Sequence, residues 1–210
     1  MKTLIVSMTR CQTNLCVGGI VLENNRSVRL IRPNGSYWPE DSPLCRAGVG
    51  AIWDLDLRPV DDAAPPFVED VIAARGERVD RVDSVRAFLL ERREQLHRIF
   101  WQGGLEALYQ GRVRFQTSNG KAIIYAGDEP DMSTGFWIPN EDLVLAEDGR
   151  HYFCGERQLA YVGLADPVAR INAGTLCRVS LARLFVPHPD VCARYYVQLS
   201  CWYGEGDAAA

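Results

Sequence analysis

Arginines at the ends of predicted strands are the residues in the first half of the chain best suited to holding an anion. Arg10 precedes a polar loop at positions 12–14, and Arg32 closes the apolar stretch 27–31. A guanidinium presents a planar fork of N–H donors that matches a phosphate or a carboxylate with two bonds. Both residues are therefore candidate ligand contacts. For Arg10 the competing interpretation is an ordinary exposed loop arginine.

Arg32 has a second interpretation, as one half of an internal ion pair. Side chains alternate along a strand, so Arg32 shares a face with Val28 and Leu30 and lies on the barrel side if those two point inward. A buried guanidinium needs a partner, because an unpaired charge is costly to bury. Glu69 or Asp70 is the predicted partner, and this pairing is favoured over a ligand contact at the rim.

Two aromatic residues, Tyr37 and Trp38, follow Arg32 in a loop bounded by glycine and proline. Aromatic side chains in such loops stack on nucleic-acid bases, with a contribution of about 1–3 kcal/mol per base. The same side chains also plug the end of a barrel or fill a contact between barrels. The sequence leaves the binding role and the packing role equally open.

The most basic predicted strand lies in the second half of the chain. Arg112 and Arg114 alternate with apolar residues, and Lys121 lies across a predicted Asn-Gly turn, so three positive charges converge on one hairpin. Trp137 is a candidate stacking residue, with a core position as the alternative. Three charges give a modest phosphate-binding contribution, which the acidic stretch at 141–148 offsets.

Recognisable catalytic and metal-binding patterns are absent from the sequence. The histidines at positions 97, 151 and 188 form no H-x-x-x-H pair, and there is no G-x-S-x-G motif or phosphate-binding glycine loop. His151 and Cys154 are spaced as two metal ligands but lack a third ligand nearby. We therefore predict no catalytic residue, no metal and no cofactor.

Composition argues against several classes of protein. The 210 residues carry a formal net charge of −4, which is unfavourable for a general polyanion binder. Seven cysteines without a C-x-x-C pair fit neither a disulfide framework nor a zinc ribbon. No apolar run is long enough for a membrane span or a signal peptide, so we expect a cytoplasmic protein that contacts no membrane.

The elements that position these residues are predicted to be mostly strands. In the first half of the chain, apolar and β-branched runs are separated by turn residues, which is typical of short strands. An Asn24-Asn25 turn joins two of them as a hairpin. The predicted strands of this half span residues 3–8, 16–22, 27–31, 49–57 and 67–74.

One amphipathic helix is predicted after Asp83, where the period of the apolar residues changes. Apolar residues between 85 and 100 fall on one helix face, Asp83 or Ser84 caps the start, and Gly103-Gly104 ends the pattern. Strands then return, the first two joined by the Asn-Gly turn. They are predicted at 113–116, 121–126, 136–138, 151–154, 159–163, 176–181 and 195–202.

Several short segments carry a resemblance to a known family. In the first half they are Leu4-Ile5-Val6-Ser7 followed by Arg10, Cys16-Val17-Gly18-Gly19-Ile20, Leu30-Ile31-Arg32-Pro33 and Pro65-Pro66-Phe67-Val68-Glu69-Asp70-Val71. These segments resemble the dual OB domain proteins, a bacterial family of two tandem OB-type barrels found in conflict and defence loci. Residues 174–181 and 195–203 are compatible with the family's second barrel. The chain departs from the family at Leu30, where an aromatic residue is frequent, and at Asp70, where asparagine is frequent.

The resemblance implies a mostly β protein of two tandem OB-like small barrels with one connecting amphipathic helix. We predict a first barrel at 1–80, the helix at 81–104, a second barrel at 105–204 and a disordered tail at 205–210. The resemblance also implies non-catalytic recognition of nucleic acid or a nucleotide in a bacterial defence system, with a possible protein partner encoded nearby. Two alternatives stay open, namely a protein–protein adaptor with an aromatic surface and a sensor of a small anionic ligand.

Overall fold

The computed structural model of the chain describes residues 1–186 and 192–204. Strands account for 49% of the chain and helices for 11%, so the prediction of a mostly β protein is confirmed. The chain forms two compact units, one made of Met1–Arg98 with Tyr203 and Gly204, the other of Ile99–Trp202. His188 and the tail predicted at 205–210 lie outside the described residues.

The described part of the first unit contains six strands and two short helices. Helix α1 spans Pro43–Ala47 and helix α2 spans Val85–Glu91. The strands are β1 (Lys2–Cys11), β2 (Asn14–Val21), β3 (Arg26–Ile31), β4 (Trp38–Pro39), β5 (Ala51–Pro59) and β6 (Asp70–Arg81).

Five of these strands close into a barrel. β1 pairs with β2 and β5, β3 pairs with β2 and β6, and β5 pairs with β6, which completes the ring. Every pair in the ring is antiparallel except β3 with β6. Closing a sheet on itself removes the exposed edges that an open sheet leaves. The barrel is compatible with an OB fold.

Alternation along β5 shows which side of the barrel is its core. Leu55 is buried, whereas its neighbours Asp54 and Asp56 are exposed. Partners in register project to the same side of a sheet, so the interior face continues onto the neighbouring strands. It includes one residue each of β2, β3 and β6, namely Val17, Leu30 and Val71. Arg29, next to Leu30, therefore projects from the outer face.

Helix α2 is shorter than the helix predicted over residues 81–104. The Oγ of Ser84 accepts the N–H of Ala87 at 3.2 Å, as predicted for a cap, but the helix ends at Glu91. His97–Ile99 forms a turn of 3-10 helix, and Phe100–Gly103 is strand β7. The apolar residues near Phe100 have the spacing of a helix face. Pairing in a sheet buries the same residues, and this tertiary contact overrides the local helix propensity.

The second unit is built from short strands. The unit begins with β7, which is followed by a kinked 3-10 segment at Leu105–Gly111. The remaining strands are β8 (Arg114–Phe115), β9 (Ala122–Tyr125), β10 (Thr134–Pro139), β11 (Leu143–Leu145), β12 (His151–Cys154), β13 (Arg157–Tyr161), β14 (Arg170–Ile171), β15 (Leu176–Leu181) and β16 (Arg194–Tyr203).

The strands of the second unit form one extended sheet. Their order is β14-β11-β12-β13-β16-β15-β10-β7, and β9 joins β16 and β8 beside this path. The described pairings do not link the two ends of this order into a ring. The predicted second barrel and the predicted connecting helix are therefore not confirmed.

The predicted hairpin between β8 and β9 is confirmed. Phe115 pairs with Ala122, and the side chain of Asn119 accepts the N–H of Lys121 at 3.0 Å inside the turn. Gly120 has a φ of 71°, a left-handed conformation that favours glycine. The turn therefore fixes the position of Lys121 at the start of β9.

None of the described helices is long and apolar enough to cross a membrane.

Candidate functional site

A cavity of about 210 Å³ lies within the second unit. Three alanines and Val197 complete its lining. Its polar lining consists of five half-buried side chains, Lys121, His151, Gln158, Tyr196 and Gln198. Concave sites that combine an apolar wall with a few converging polar groups are the usual form of a small-molecule site.

Three neighbouring strands place the polar residues side by side. Ala160 of β13 pairs with His151 of β12 on one side and with Gln198 of β16 on the other. Side chains two apart on a strand share a face, which adds Gln158 and Tyr196 to the same row. The methyl group of Ala160 lies between longer side chains, so the centre of the row remains open.

The hairpin between β8 and β9 brings Lys121 to this row. Lys121 forms an isolated parallel bridge with Gln158, and the N–H of Gln158 donates to the carbonyl of Gly120 at 3.0 Å. The side-chain amide of Gln158 also donates to the carbonyl of Asn119. These bonds attach the turn to β13 and hold the lysine against the cavity.

His151 is oriented by the carboxylate of Asp148. Its Nδ1 lies 2.6 Å from Oδ2 of Asp148, and its backbone N–H donates to Oδ1 at 3.1 Å. The pKa of Asp148 is lowered, first by the backbone N–H of Arg150 and then by the His151 side chain. With Nδ1 held by the carboxylate, Nε2 is the ring nitrogen available to a ligand.

The charge of Lys121 is not matched by an acidic side chain. Among residues 1–186 and 192–204, no carboxylate forms an ion pair with its ammonium group. A cationic group with an apolar stem at the wall of a cavity attracts an anionic ligand group. The arrangement therefore combines a positive charge with hydrogen-bonding groups and suits a small anion.

Of the three residues predicted for the basic hairpin, only Lys121 is among the residues that line the cavity. Nη1 of Arg112 forms an ion pair with Oδ1 of Asp128 at 2.6 Å. Nη1 of Arg114 donates to the backbone carbonyls of Gly111 and Val113. A patch of three free charges is not supported, because both guanidinium groups are held by neighbours within the hairpin and its adjoining loops.

Trp137 is a core residue. It is fully buried, and its Nε1 donates to the carbonyl of Gly103 at 2.9 Å. A ring without exposed surface has no face on which a base can stack. The core interpretation of Trp137 is therefore correct, and the stacking interpretation is wrong.

The predicted ligand contacts of the first unit are not among the residues that line this cavity. Arg10 is exposed, and its Nη1 lies 3.9 Å from Oε2 of Glu40. Nη1 of Arg32 donates to Oγ of Ser36 at 3.3 Å. Trp38 is half-buried, and its Nε1 donates to the carbonyl of Leu30 at 2.9 Å, which ties the ring to β3. Tyr37 is half-buried beside it in sequence.

A buried ion pair does exist in the first unit, but its arginine is Arg29 rather than Arg32. Nε of Arg29 donates to Oδ1 of Asp70 at 2.5 Å, and both side chains are less than one-tenth exposed. The guanidinium also lies 4.9 Å from the ring centroid of Phe67, within the range of a cation–π contact. Alternation placed Arg32 on the inner face of the strand and therefore favoured it as the buried arginine. In the structure both faces of β3 are buried, and Arg29 on the outer face forms the ion pair.

Metal binding at His151 and Cys154 is not supported by the fold. The two residues are three apart on β12, so they lie on opposite faces. Burial also raises the pKa of Cys154 to about 11, which disfavours the thiolate that binds metals. In the described ranges, no group of three or more potential ligands is arranged to hold a metal ion.

Sequence reasoning missed most of this cavity. Gln158, Tyr196 and Gln198 were not among the predicted site residues, although Tyr196-Val197-Gln198 shows the polar–apolar alternation that places two polar side chains on one face. The convergence depends on the parallel pairing of β13 with β16, which join distant parts of the chain. Local spacing contains no information on that pairing.

Comparison of the chain with protein-family models, with curated proteins and with solved structures found no match.

Proposed function

We propose that this protein is a non-catalytic recognition module that binds a small anionic ligand, of mononucleotide size or smaller, in the cavity of its second unit. The observation that carries the proposal is that Lys121 lines a cavity whose lining contains no acidic residue. Among the described residues this ammonium group has no acidic partner. A ligand anion supplies the missing counter-charge.

The size of the cavity favours one small molecule over a polymer. Its volume of about 210 Å³ lies below the roughly 300–1,000 Å³ of pockets that enclose drug-sized ligands. Two of the cations that would form a backbone-binding stripe, Arg112 and Arg114, are held by protein groups. Binding to a nucleic-acid backbone instead requires several cations that neutralise phosphates in series.

The barrel of the first unit supports a relationship to OB domains. Its ring order and its single parallel pair, β3 with β6, agree with a five-stranded Greek-key barrel. On this basis we propose an OB fold for the first unit. Membership of the dual OB domain family, a role in bacterial defence, a protein partner and a cytoplasmic location stay predictions from the sequence.

Ligand-dependent thermal stability tests the proposed function. A ligand that binds only the folded protein, at 100 times its dissociation constant, adds about 2.7 kcal/mol, or roughly 5–10 °C in Tm for a chain of this size. We expect this shift with at least one of the four ribonucleoside 5′-monophosphates at millimolar concentration. Ala160→Phe, which fills the centre of the cavity, abolishes the shift, whereas Ala173→Phe at an exposed loop position preserves it.

Two results contradict the proposal. One is no Tm shift with any of the four monophosphates, in which case a salt-sensitive interaction with a single-stranded 20-mer indicates a polymer binder. The other is a monophosphate-dependent shift that persists in a folded Ala160→Phe variant, which places the binding site outside the cavity.

A further inference from the structure

We propose that the ligand carries a terminal phosphomonoester, which is held between Lys121 and His151. This inference rests on the proposed function and narrows it from small anions in general to one chemical class. It requires that the two side chains act on the same ligand group, and both line the same cavity.

Lys121 supplies a permanent charge. An ammonium group presents three donors and no acceptor, so it binds oxygen atoms of any small anion. Carboxylate, sulfate, phosphodiester and phosphomonoester groups all satisfy this contact. Lys121 therefore explains why the ligand is an anion but does not distinguish among these anions.

His151 provides the distinction, because Asp148 fixes which ring nitrogen faces the ligand. With Nδ1 bonded to the carboxylate of Asp148, Nε2 accepts a hydrogen bond from a ligand hydroxyl when the ring is neutral and donates one when the ring is protonated. A phosphomonoester offers both partners, since its monoanion has a P–O–H donor and its dianion has only acceptors. The second proton of a phosphomonoester titrates near pH 6.

The hydrogen bond at Nε2 therefore has a phosphomonoester partner whether the ring is neutral or protonated. Sulfate and phosphodiesters have no ionisable hydroxyl in this pH range, so they match only the protonated ring. The titratable residues around His151 are Asp148, whose carboxylate bonds its ring, and Lys121 and Tyr196, which line the same cavity.

The other polar residues of the cavity indicate what the phosphate is attached to. The amide nitrogen of Gln158 is already bonded to the carbonyl of Asn119, which leaves its Oε1 as an acceptor. Gln198 and the hydroxyl of Tyr196 add donors and acceptors along the same row. An acceptor of this kind suits a hydroxyl group, so a phosphorylated sugar or nucleoside fits better than inorganic phosphate.

The test measures affinity by titration calorimetry for matched probes on the full chain. The probes are the ribonucleoside 5′-monophosphate that gives the largest Tm shift, its 3′,5′-cyclic diester, the unphosphorylated nucleoside, and inorganic phosphate and sulfate. If none of the four monophosphates shifts the Tm, the proposed function and this inference fail together. We expect the monophosphate to bind at least tenfold more tightly than the cyclic diester and the nucleoside, and phosphate more tightly than sulfate.

Variants of Lys121 and His151 test whether these two side chains bind the phosphate group. Lys121→Gln and His151→Gln each weaken monophosphate binding at least tenfold and change nucleoside binding less than twofold. Lys2→Gln, at the only other lysine of the chain, leaves both affinities unchanged. Thermal unfolding of each variant without ligand confirms that it is folded, and Lys121→Arg, which keeps the charge, recovers part of the lost affinity.

Failure of the inference is distinguishable from failure of the proposed function. If the cyclic diester or sulfate binds as tightly as the corresponding monoester, or if folded His151→Gln binds the monophosphate normally, the cavity binds an anion but not specifically a phosphomonoester. If the monophosphate binds with the same affinity to wild type and to folded Ala160→Phe, both proposals are wrong.

Discussion

At the scale of single residues, the charged groups of this protein occupy contrasting surroundings. Lys121 faces a cavity, whereas Arg29 is buried on the outer face of the barrel against Asp70 and Phe67. The first arrangement leaves a charge for a ligand, and the second satisfies it within the fold. A buried charge is stable only while its partner remains.

Asp70→Ala is therefore expected to destabilise the first unit strongly. Removing the carboxylate leaves the buried guanidinium of Arg29 without its counter-charge, which typically lowers the free energy of unfolding by about 3–5 kcal/mol. Asp56→Ala is the matched control, because the ion pair of Asp56 with Arg58 is largely exposed and contributes at most about 1 kcal/mol. Urea denaturation of both variants measures the difference. Equal losses contradict the structural role of the buried pair.

Cysteine reactivity is a second prediction at this scale. Burial raises the pKa of Cys154 to about 11 and raises that of Cys177 further, so both thiols stay protonated at pH 8. Only thiolates react with iodoacetamide, and Cys192 is exposed. Peptide mass spectrometry after brief labelling of the native protein should find Cys192 modified and the other two unmodified, with reactivity at Cys154 rising towards pH 11. Rapid labelling of Cys177 at pH 8 disagrees with its buried position.

At the scale of elements, the turn between β8 and β9 controls the cavity wall. Gly120 has a positive φ, and a Cβ added there would overlap the carbonyl oxygen of Glu156. Gly127 also has a positive φ, of 92°, but no atom lies within 4 Å of an added Cβ. An alanine at position 127 therefore introduces backbone strain alone, whereas an alanine at position 120 introduces backbone strain and steric overlap.

We expect Gly127→Ala to lower the free energy of unfolding by about 1–2 kcal/mol, the usual cost of a left-handed residue with a side chain. Gly120→Ala should cost more, and it should also weaken ligand binding because the carbonyl of Gly120 accepts the N–H of Gln158. Denaturation and calorimetry on both variants measure the two effects. If Gly120→Ala binds ligand normally, the turn does not position Lys121 as described.

Elements were predictable from the sequence where local alternation decides the structure. The strands containing His151–Cys154 and Leu176–Leu181 were predicted with their observed bounds, and the Asn-Gly turn was placed correctly. The helix was overextended because Phe100–Gly103 pairs with β10, a contact that helical spacing cannot reveal. The two- and three-residue strands β14 and β11 carry too few residues to show any period.

The candidate site was less predictable than the fold. Lys121, predicted as a ligand contact from the turn that precedes it, lines the cavity, but the other polar lining residues come from β12, β13 and β16. Their convergence requires a parallel pairing between strands that start 37 residues apart, at Arg157 and Arg194. Arg112 is paired with a carboxylate and Arg114 is bonded to backbone carbonyls. The spacing of residues in the sequence does not predict either of these partners.

At the scale of the whole molecule, charge distribution predicts the kind of ligand. The net charge is −4, and the cations proposed to form a basic patch are largely held by neighbouring protein groups. We therefore expect a single-stranded 20-mer to show no binding up to about 100 µM at physiological salt, where non-specific affinities are typically weak. Fluorescence anisotropy measures this directly.

Arg112→Ala and Arg114→Ala provide the matching controls. A nucleic-acid binder that uses the hairpin loses affinity and about one unit of salt slope with each substitution. A cavity that binds a small ligand through Lys121 keeps its monophosphate affinity within twofold in both variants. A tight, salt-dependent complex that Arg114→Ala weakens contradicts the small-ligand account.

The most direct test of the account measures protection of Lys121 by ligand. The chain has only two lysines, so amine acylation followed by mass spectrometry follows Lys121 with Lys2 as an internal control. The account predicts that a ribonucleoside 5′-monophosphate at saturating concentration slows acylation of Lys121 at least fivefold and leaves Lys2 unaffected. Equal acylation of Lys121 with and without the bound monophosphate would show that the cavity is not the binding site.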